Sequence, residues 1–137
     1  MSEDNKALGR RFFDEVINGR NLDAIDELLA DDFVEHEEMP GMPTDKEGPR
    51  EFFRMLHAAM PDMHAEIDEM VSEGDRLVIR STATGTHEGD LMGMPGTGQR
   101  VQMLWADFVQ IRDGKVVAHW AVADMSGLMA PAPAGAA

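Results

Sequence analysis

The sequence predicts an α+β fold, in which three N-terminal helices pack against a strongly curved antiparallel β-sheet. The main observation is a change of periodicity along the chain. Apolar residues recur at helical spacing between residues 4 and 60, and from residue 63 onward they alternate with a period of two. Helices that precede a run of antiparallel strands pack on one side of the sheet. A bent sheet around them forms a cone closed at one end, with a pocket between sheet and helices.

Length and charge favour one globular domain that binds neither nucleic acid nor membranes. The chain has 137 residues, of which 43% are hydrophobic and 28% charged. Its formal net charge is −14 and it has no basic stripe, so it would repel phosphate backbones and anionic membrane surfaces. We expect residues 1–128 to form the domain and the alanine- and proline-rich residues 129–137 to be a disordered tail.

The absence of cysteine excludes disulfides, thiolate metal sites and cysteine nucleophiles. The first residues are charged, and no apolar run is long enough to cross a bilayer. We therefore expect a cytoplasmic protein.

Three helical segments come first. Residues 4–19 place large apolar side chains on one face and end at Gly19. Residues 21–30 form a second, shorter helix that Asn21 can cap. The third helix starts at a capping-box spacing, Thr44 to Glu47, or at Gly48-Pro49, and runs to about residue 59.

The strands follow, with one short extended piece at Phe33-Val34 between the second and third helices. Residues 63–72 and 76–87 read as two long strands joined by a turn. The glycine-rich loop at residues 88–98 leads into another strand and not into a helix, so it does not have the context of a phosphate-binding loop. Asp113-Gly114 then joins two apolar-rich runs, which is a strong signal for a β-hairpin.

This hairpin carries two polar residues where burial is expected. Asp107 shares a face with Trp105, and His119 shares a face with Ala121. A simple two-residue turn would pair Asp107 with Trp120, on the face opposite to His119. One extra residue in the turn or a bulge would bring Asp107 and His119 onto the same face.

Two further histidines and a stretch of small residues are candidates for a pocket. Ser81, Ala83, Gly85 and His87 share one strand face, which leaves room either for a ligand or for close packing of a helix. His36, between two glutamates, is either a surface histidine or a polar group at a pocket mouth. The spacing of the histidines fits no local zinc motif.

The chain resembles the SnoaL-like polyketide cyclase (ester cyclase) family of the nuclear-transport-factor-two-like superfamily. Three segments carry the resemblance and together span most of residues 5–125: NKALGRRFFDEVINGRNLDAIDELLADDFVEH, EGDRLVIRSTATGTHEGDLMGMPGTGQRV and FVQIRDGKVVAHWAVAD. The resemblance implies the cone-shaped fold and acid–base chemistry that needs neither metal nor cofactor. It also implies a catalytic aspartate after the His119-Trp120 pair, where this sequence has Ala121.

These observations lead to a set of expected site residues. The predicted catalytic pair is Asp107 and His119, with no metal ligand and no cofactor. The predicted substrate-binding residues are His36, Phe12, Phe53, Ser81, His87, Trp105 and Ala121.

We expect an enzyme that acts on an apolar, carbonyl-bearing small molecule by aldol cyclisation, isomerisation or hydrolysis. A non-catalytic binding protein on the same scaffold is the alternative, which Ala121 favours. A third possibility is a dimerisation module, and a homodimer is expected because the outer sheet face carries Val78, Leu104 and Phe108.

Overall fold

The computed structural model describes residues 2–36 and 41–129 and confirms the predicted α+β class. Helices precede a curved five-stranded sheet and cover its concave face. Residues 130–137 of the predicted tail lie outside the described residues.

The helical part begins with α1 (Ser2–Arg11), which continues directly into a π-helical segment (Phe12–Asn18). A 3₁₀ turn (Leu22–Ala24) leads into α2 (Ile25–Leu28), α3 spans Glu47–Ala59, and a short α4 (Ser126–Met129) follows the sheet. None of these described helices is long and apolar enough to cross a membrane.

Two details of the helices differ from the prediction. The second helix was expected to reach residue 30, but Leu29 is already extended and begins a strand, since its apolar side chain packs in the sheet. The predicted cap bonds of Asn21 and Thr44 do not form; instead the Asp45 carboxylate accepts a hydrogen bond from the Glu47 amide at 3.0 Å.

The sheet has the strand order β1-β5-β4-β3-β2. The strands span the following residues: β1 Leu29–Glu35, β2 His64–Glu73, β3 Arg76–Thr86, β4 Arg100–Arg112 and β5 Lys115–Asp124. Four strands form an antiparallel meander, whereas β1 pairs with β5 in parallel and makes the sheet mixed. The predicted Phe33-Val34 piece is therefore part of a seven-residue strand beside the hairpin.

The core lies between the concave face and the helices. Side chains from α1, the π-helical segment and α3 meet alternate residues of the strands, as a sheet buried on one face requires. Gly9 brings α1 close to the sheet, because a Cβ there would lie 2.9 Å from the Leu77 side chain on β3. The helices thus pack tightly on the sheet where α1 crosses β3.

Asn18, the last residue of the π-helical segment, completes the hydrogen bonding of the edge strand β2. Its amide group donates to the Ala65 carbonyl at 2.9 Å and accepts from the Ala65 N–H at 2.8 Å. A side chain thus takes the place of a neighbouring strand, which leaves both backbone groups of Ala65 paired. The Asn18 side chain therefore joins the helices to the sheet.

We predict that Asn18→Ala lowers the free energy of unfolding by about 1–3 kcal/mol, because a partly buried N–H and C=O lose their partner together. Urea denaturation measures the change. Asn21→Ala is the matched control, since the Asn21 side chain makes no cap bond. Equal stability of the two variants would contradict this role of Asn18.

Candidate active site

A β-bulge in the hairpin sets the geometry of the site. Asp113 and Gly114 both have positive φ, as the predicted two-residue turn requires, and Ile111 pairs with Val116. The next pair is Gln110 with Ala118, so Val117 is the extra residue. From there on Asp107 lies opposite Ala121 and not opposite Trp120. The bulge therefore places Asp107 and His119 on the same, concave face.

His119 is hydrogen-bonded to two carboxylates, one on each neighbouring strand. Its Nε2–H donates to Oδ1 of Asp107 on β4 at 2.8 Å. Its Nδ1–H donates to the carboxylate of Glu35 on β1, at 2.7 Å from Oε2 and 2.9 Å from Oε1. The three side chains are between 12% and 23% exposed, so they form a largely buried array.

The two carboxylates control the protonation of the imidazole. Burial alone would lower the pKa of His119, but the hydrogen bonds and negative charges of Asp107 and Glu35 outweigh this and raise the pKa to about 10. His119 is thus an imidazolium at neutral pH and has no lone pair with which to accept a proton. Only the two carboxylates of the array, Asp107 and Glu35, can therefore act as a base.

The array lies on the wall of a cavity of about 150 Å³ between the sheet and the helices. Met42 and the solvent-exposed Pro43 belong to the lining of this cavity. Its polar lining consists of the array and Ser81, and no lysine or arginine among the described residues lines it. One imidazolium and two carboxylates leave a single formal negative charge, which disfavours an anionic ligand, and the apolar remainder of the lining favours an uncharged, apolar one.

Aromatic side chains form the wall on the helix side. Phe52 of α3 contacts Trp105 with ring centroids 5.7 Å apart, and Phe53 contacts Phe12 at 5.8 Å, both edge to face. Phe12 belongs to the π-helical segment, a form of helix that recurs at functional sites. These rings supply a flat apolar surface beside the polar array.

Most of the predicted site residues lie together around this cavity. Its lining contains the following predicted residues: Phe12, Phe53, Ser81, Trp105, Asp107, His119 and Ala121. Ala121 faces Asp107 directly, so the carboxylate that the family resemblance leads one to expect at Ala121 is replaced by a methyl group opposite another carboxylate.

The two predicted substrate-binding histidines do not line the cavity. His36 is exposed on the outer face, where its ring stacks on Trp120, because it follows the inward-facing Glu35 and alternation turns it outward. His87 is fully buried beyond the end of the cavity, in a loop that joins residues 97–99 by backbone hydrogen bonds. Neither of its ring nitrogens has a partner among the described residues.

Glu35 is the site residue that the sequence reasoning missed. The signal was present, since Phe33 is a plausible core residue and Glu35, two positions later on the same strand, must share its face. The prediction instead treated Phe33-Val34 as a short piece and considered His36 alone.

The raised pKa of His119 predicts a pH-dependent stability. Below pH 6.5 the imidazole is protonated in both states and its ion pairs stabilise the fold fully; the contribution is lost as pH rises towards about 10. As pH rises from 6.5 to about 10, we expect the loss of the His119 contribution to lower the free energy of unfolding by about 3 kcal/mol, with partial exposure of the ring taken into account. Denaturation at several pH values measures the slope, which His119→Gln should abolish. An identical slope in the variant would exclude the array as its source.

Comparison with known proteins finds relatives over nearly the whole chain. The family model for SnoaL-like polyketide cyclase matches residues 7–131. AclR of Streptomyces galilaeus, a candidate hydroxylase, is 29% identical and superposes with a TM-score of 0.83 over 94% of this chain and 84% of its own. TsrD of Streptomyces laurentii is 26% identical, with a TM-score of 0.84 over 93% of each chain.

IdmH of Streptomyces antibioticus, a candidate polyketide cyclase, is 30% identical, with a TM-score of 0.76 over 90% of this chain and 96% of its own. No functionally curated protein matches the sequence. The family match covers nearly the whole described chain, and the chain therefore belongs to the SnoaL-like polyketide cyclase family.

Proposed function

We propose that this protein is an acid–base enzyme that cyclises an apolar, carbonyl-bearing small molecule by an intramolecular aldol reaction. The observation that carries the proposal is the Asp107–His119–Glu35 array on the wall of an apolar cavity. The candidate-cyclase relative IdmH and the family match favour cyclisation over isomerisation or hydrolysis.

In this mechanism Asp107 is the general base. Its carboxylate takes a proton from the carbon next to a substrate carbonyl, and the C–H electron pair becomes an enolate. The enolate carbon then forms a C–C bond to a second carbonyl carbon of the same molecule, whose oxygen becomes an alkoxide. The carboxylic acid of Asp107 returns its proton to that alkoxide, so protons balance and no redox partner or cofactor is required.

His119 and Glu35 support this base. While Asp107 is ionised, the imidazolium holds it in place; once Asp107 is protonated, the Nε2–H of His119 is less strongly bound and can turn to the enolate oxygen. Glu35 keeps Nδ1 protonated and preserves the cation throughout. The apolar walls exclude water from the enolate.

We predict that Asp107→Asn lowers proton abstraction at least about 100-fold, because an amide cannot accept the proton. Acetophenone, a one-ring ketone, is a suitable probe, and mass spectrometry in D₂O measures deuterium uptake at its methyl group. Quenching of tryptophan fluorescence in a Trp120→Phe background, where Trp105 is the remaining tryptophan, measures whether the ketone still binds.

Asp113→Asn is the matched control, since it removes the same charge from an exposed turn of the same hairpin. Equal uptake in both variants would refute Asp107 as the base. Binding of acetophenone without uptake in the unmodified protein would favour the non-catalytic binding protein, the alternative that Ala121 supports.

We also propose that the protein forms a homodimer through the outer face of its sheet. One row crosses the face from β2 to β5 through Val71, Val78, Phe108 and Trp120, and Leu104 and Val122 add exposed apolar surface. Two of the acidic residues beside the row, Asp68 and Glu69, pair with Arg80, which limits repulsion between two copies of an acidic chain. A protein that served only as a dimerisation module would not need the apolar cavity, so this cavity counts against the third possibility.

We expect Phe108→Glu to convert this dimer to a monomer, because it buries an unpaired charge in each half of a two-fold interface. Size-exclusion chromatography with light scattering measures the mass. Met92→Glu, at an exposed methionine of the glycine-rich loop between β3 and β4, should leave the mass unchanged. A monomer in the unmodified protein would overturn the proposal.

A further inference from the structure

Two stacked rings lie on the outer face directly behind the candidate site. His36 and Trp120 have ring centroids 4.5 Å apart and planes within 6° of parallel. Each follows a member of the site in the chain, His36 after Glu35 and Trp120 after His119. Successive side chains on a strand point to opposite faces. The ion pair inside the cone and the ring stack outside it are therefore two sides of the same stretch of paired backbone.

The backbone pairing of β1 alone does not fix the end of this strand, so a contact such as the His36–Trp120 stack can help to hold it. Its parallel register with β5 is interrupted between Leu29 and Val34, so the earlier part of the strand does not determine where Glu35 lies. Close to the site, the His36 N–H donates to the His119 carbonyl at 2.9 Å, and the Glu35 N–H donates to the Thr44 carbonyl at 2.7 Å. A slip of one residue here would turn Glu35 outward.

The Trp120 ring is itself held in place. The guanidinium of Arg76, at the start of β3, lies 5.3 Å from the ring centroid and makes a cation–π contact. Phe108 is the cross-strand neighbour of Trp120 on β4. The ring is thus a fixed surface against which the more exposed His36 can be placed.

We propose that His36 and Trp120 are positioning residues, whose stack on the outer face fixes the end of β1 so that the Glu35 carboxylate stays on Nδ1 of His119. The stack acts on the reaction through Glu35 and touches no substrate. The catalytic consequence rests on the proposed function, whereas the structural claim concerns only the Glu35–His119 contact.

NMR titration of the His119 ring tests the structural claim without any substrate. In His36→Ala, loosening of Glu35 should lower the pKa of His119 from about 10 by about one unit, since one of its two carboxylates is lost for part of the time. Deuterium uptake by acetophenone should fall roughly tenfold in kcat, with a smaller change in KM. His36→Phe should restore both values, because it keeps a flat ring on Trp120.

Leu104→Ala is the matched control, since it removes exposed apolar surface from the same sheet face away from the stack, and it should leave the pKa of His119 unchanged. An unchanged pKa in His36→Ala would overturn the proposal, as would equal losses in His36→Ala and His36→Phe. If the pKa shifts as expected while Asp107→Asn retains full uptake, the positioning role stands and the proposed function fails.

Discussion

A single imidazolium ion shared by two carboxylates joins three strands of this sheet. His119 on β5 bonds Asp107 on β4 and Glu35 on β1, so one side chain links the antiparallel hairpin to the parallel edge strand. Removing three ionised groups from water costs free energy, which their mutual attraction and hydrogen bonds must offset. Loss of His119 would leave two carboxylates without a counter-charge, and loss of either carboxylate would leave one N–H of the imidazolium without its hydrogen-bond partner. The strands are therefore held in the one arrangement that keeps all three together.

That arrangement depends on one residue of the backbone. Without the extra Val117, Asp107 would face the outer side of the sheet and His119 would have only Glu35 as a partner. The same register sets Ala121 opposite Asp107. In the family pattern an acid is expected at the position of Ala121, and here an acid stands across the hairpin from it. The Asp107 carboxylate faces the cavity that Ala121 also lines, but it is carried by β4, whereas Ala121 lies on β5.

Local signals in the sequence predicted most of the elements and brought together part of the candidate site. Asp113-Gly114 predicted the turn because few residues other than glycine, aspartate and asparagine accept positive φ. Alternation placed Trp105 and Asp107 on one face, and the same rule applied to Phe33 would have found Glu35. The bulge at Val117 had no such signal, since no feature of a valine predicts that it will be left unpaired.

The histidines show the other limit of local reasoning. His87 lies on the same strand face as Ser81 and Ala83. The chain at the end of α3 packs on this face at Gly85, where a Cβ would lie 3.3 Å from the Met60 side chain. This packing separates His87 from the cavity. This contact joins residues far apart in sequence, and periodicity carries no information about it. The parallel pairing of β1 with β5 is equally non-local.

The size of the cavity has a consequence for the ligands that this fold can accept. A volume of about 150 Å³ is close to that of engineered apolar cavities that hold a single benzene. A molecule of several rings must either extend past Pro43 into solvent or push aside Met42, Met63 and Met103, which also line the space. Methionine side chains yield readily, but each displacement draws on the binding free energy. Ligand efficiency should therefore be highest for one-ring fragments and fall as rings are added.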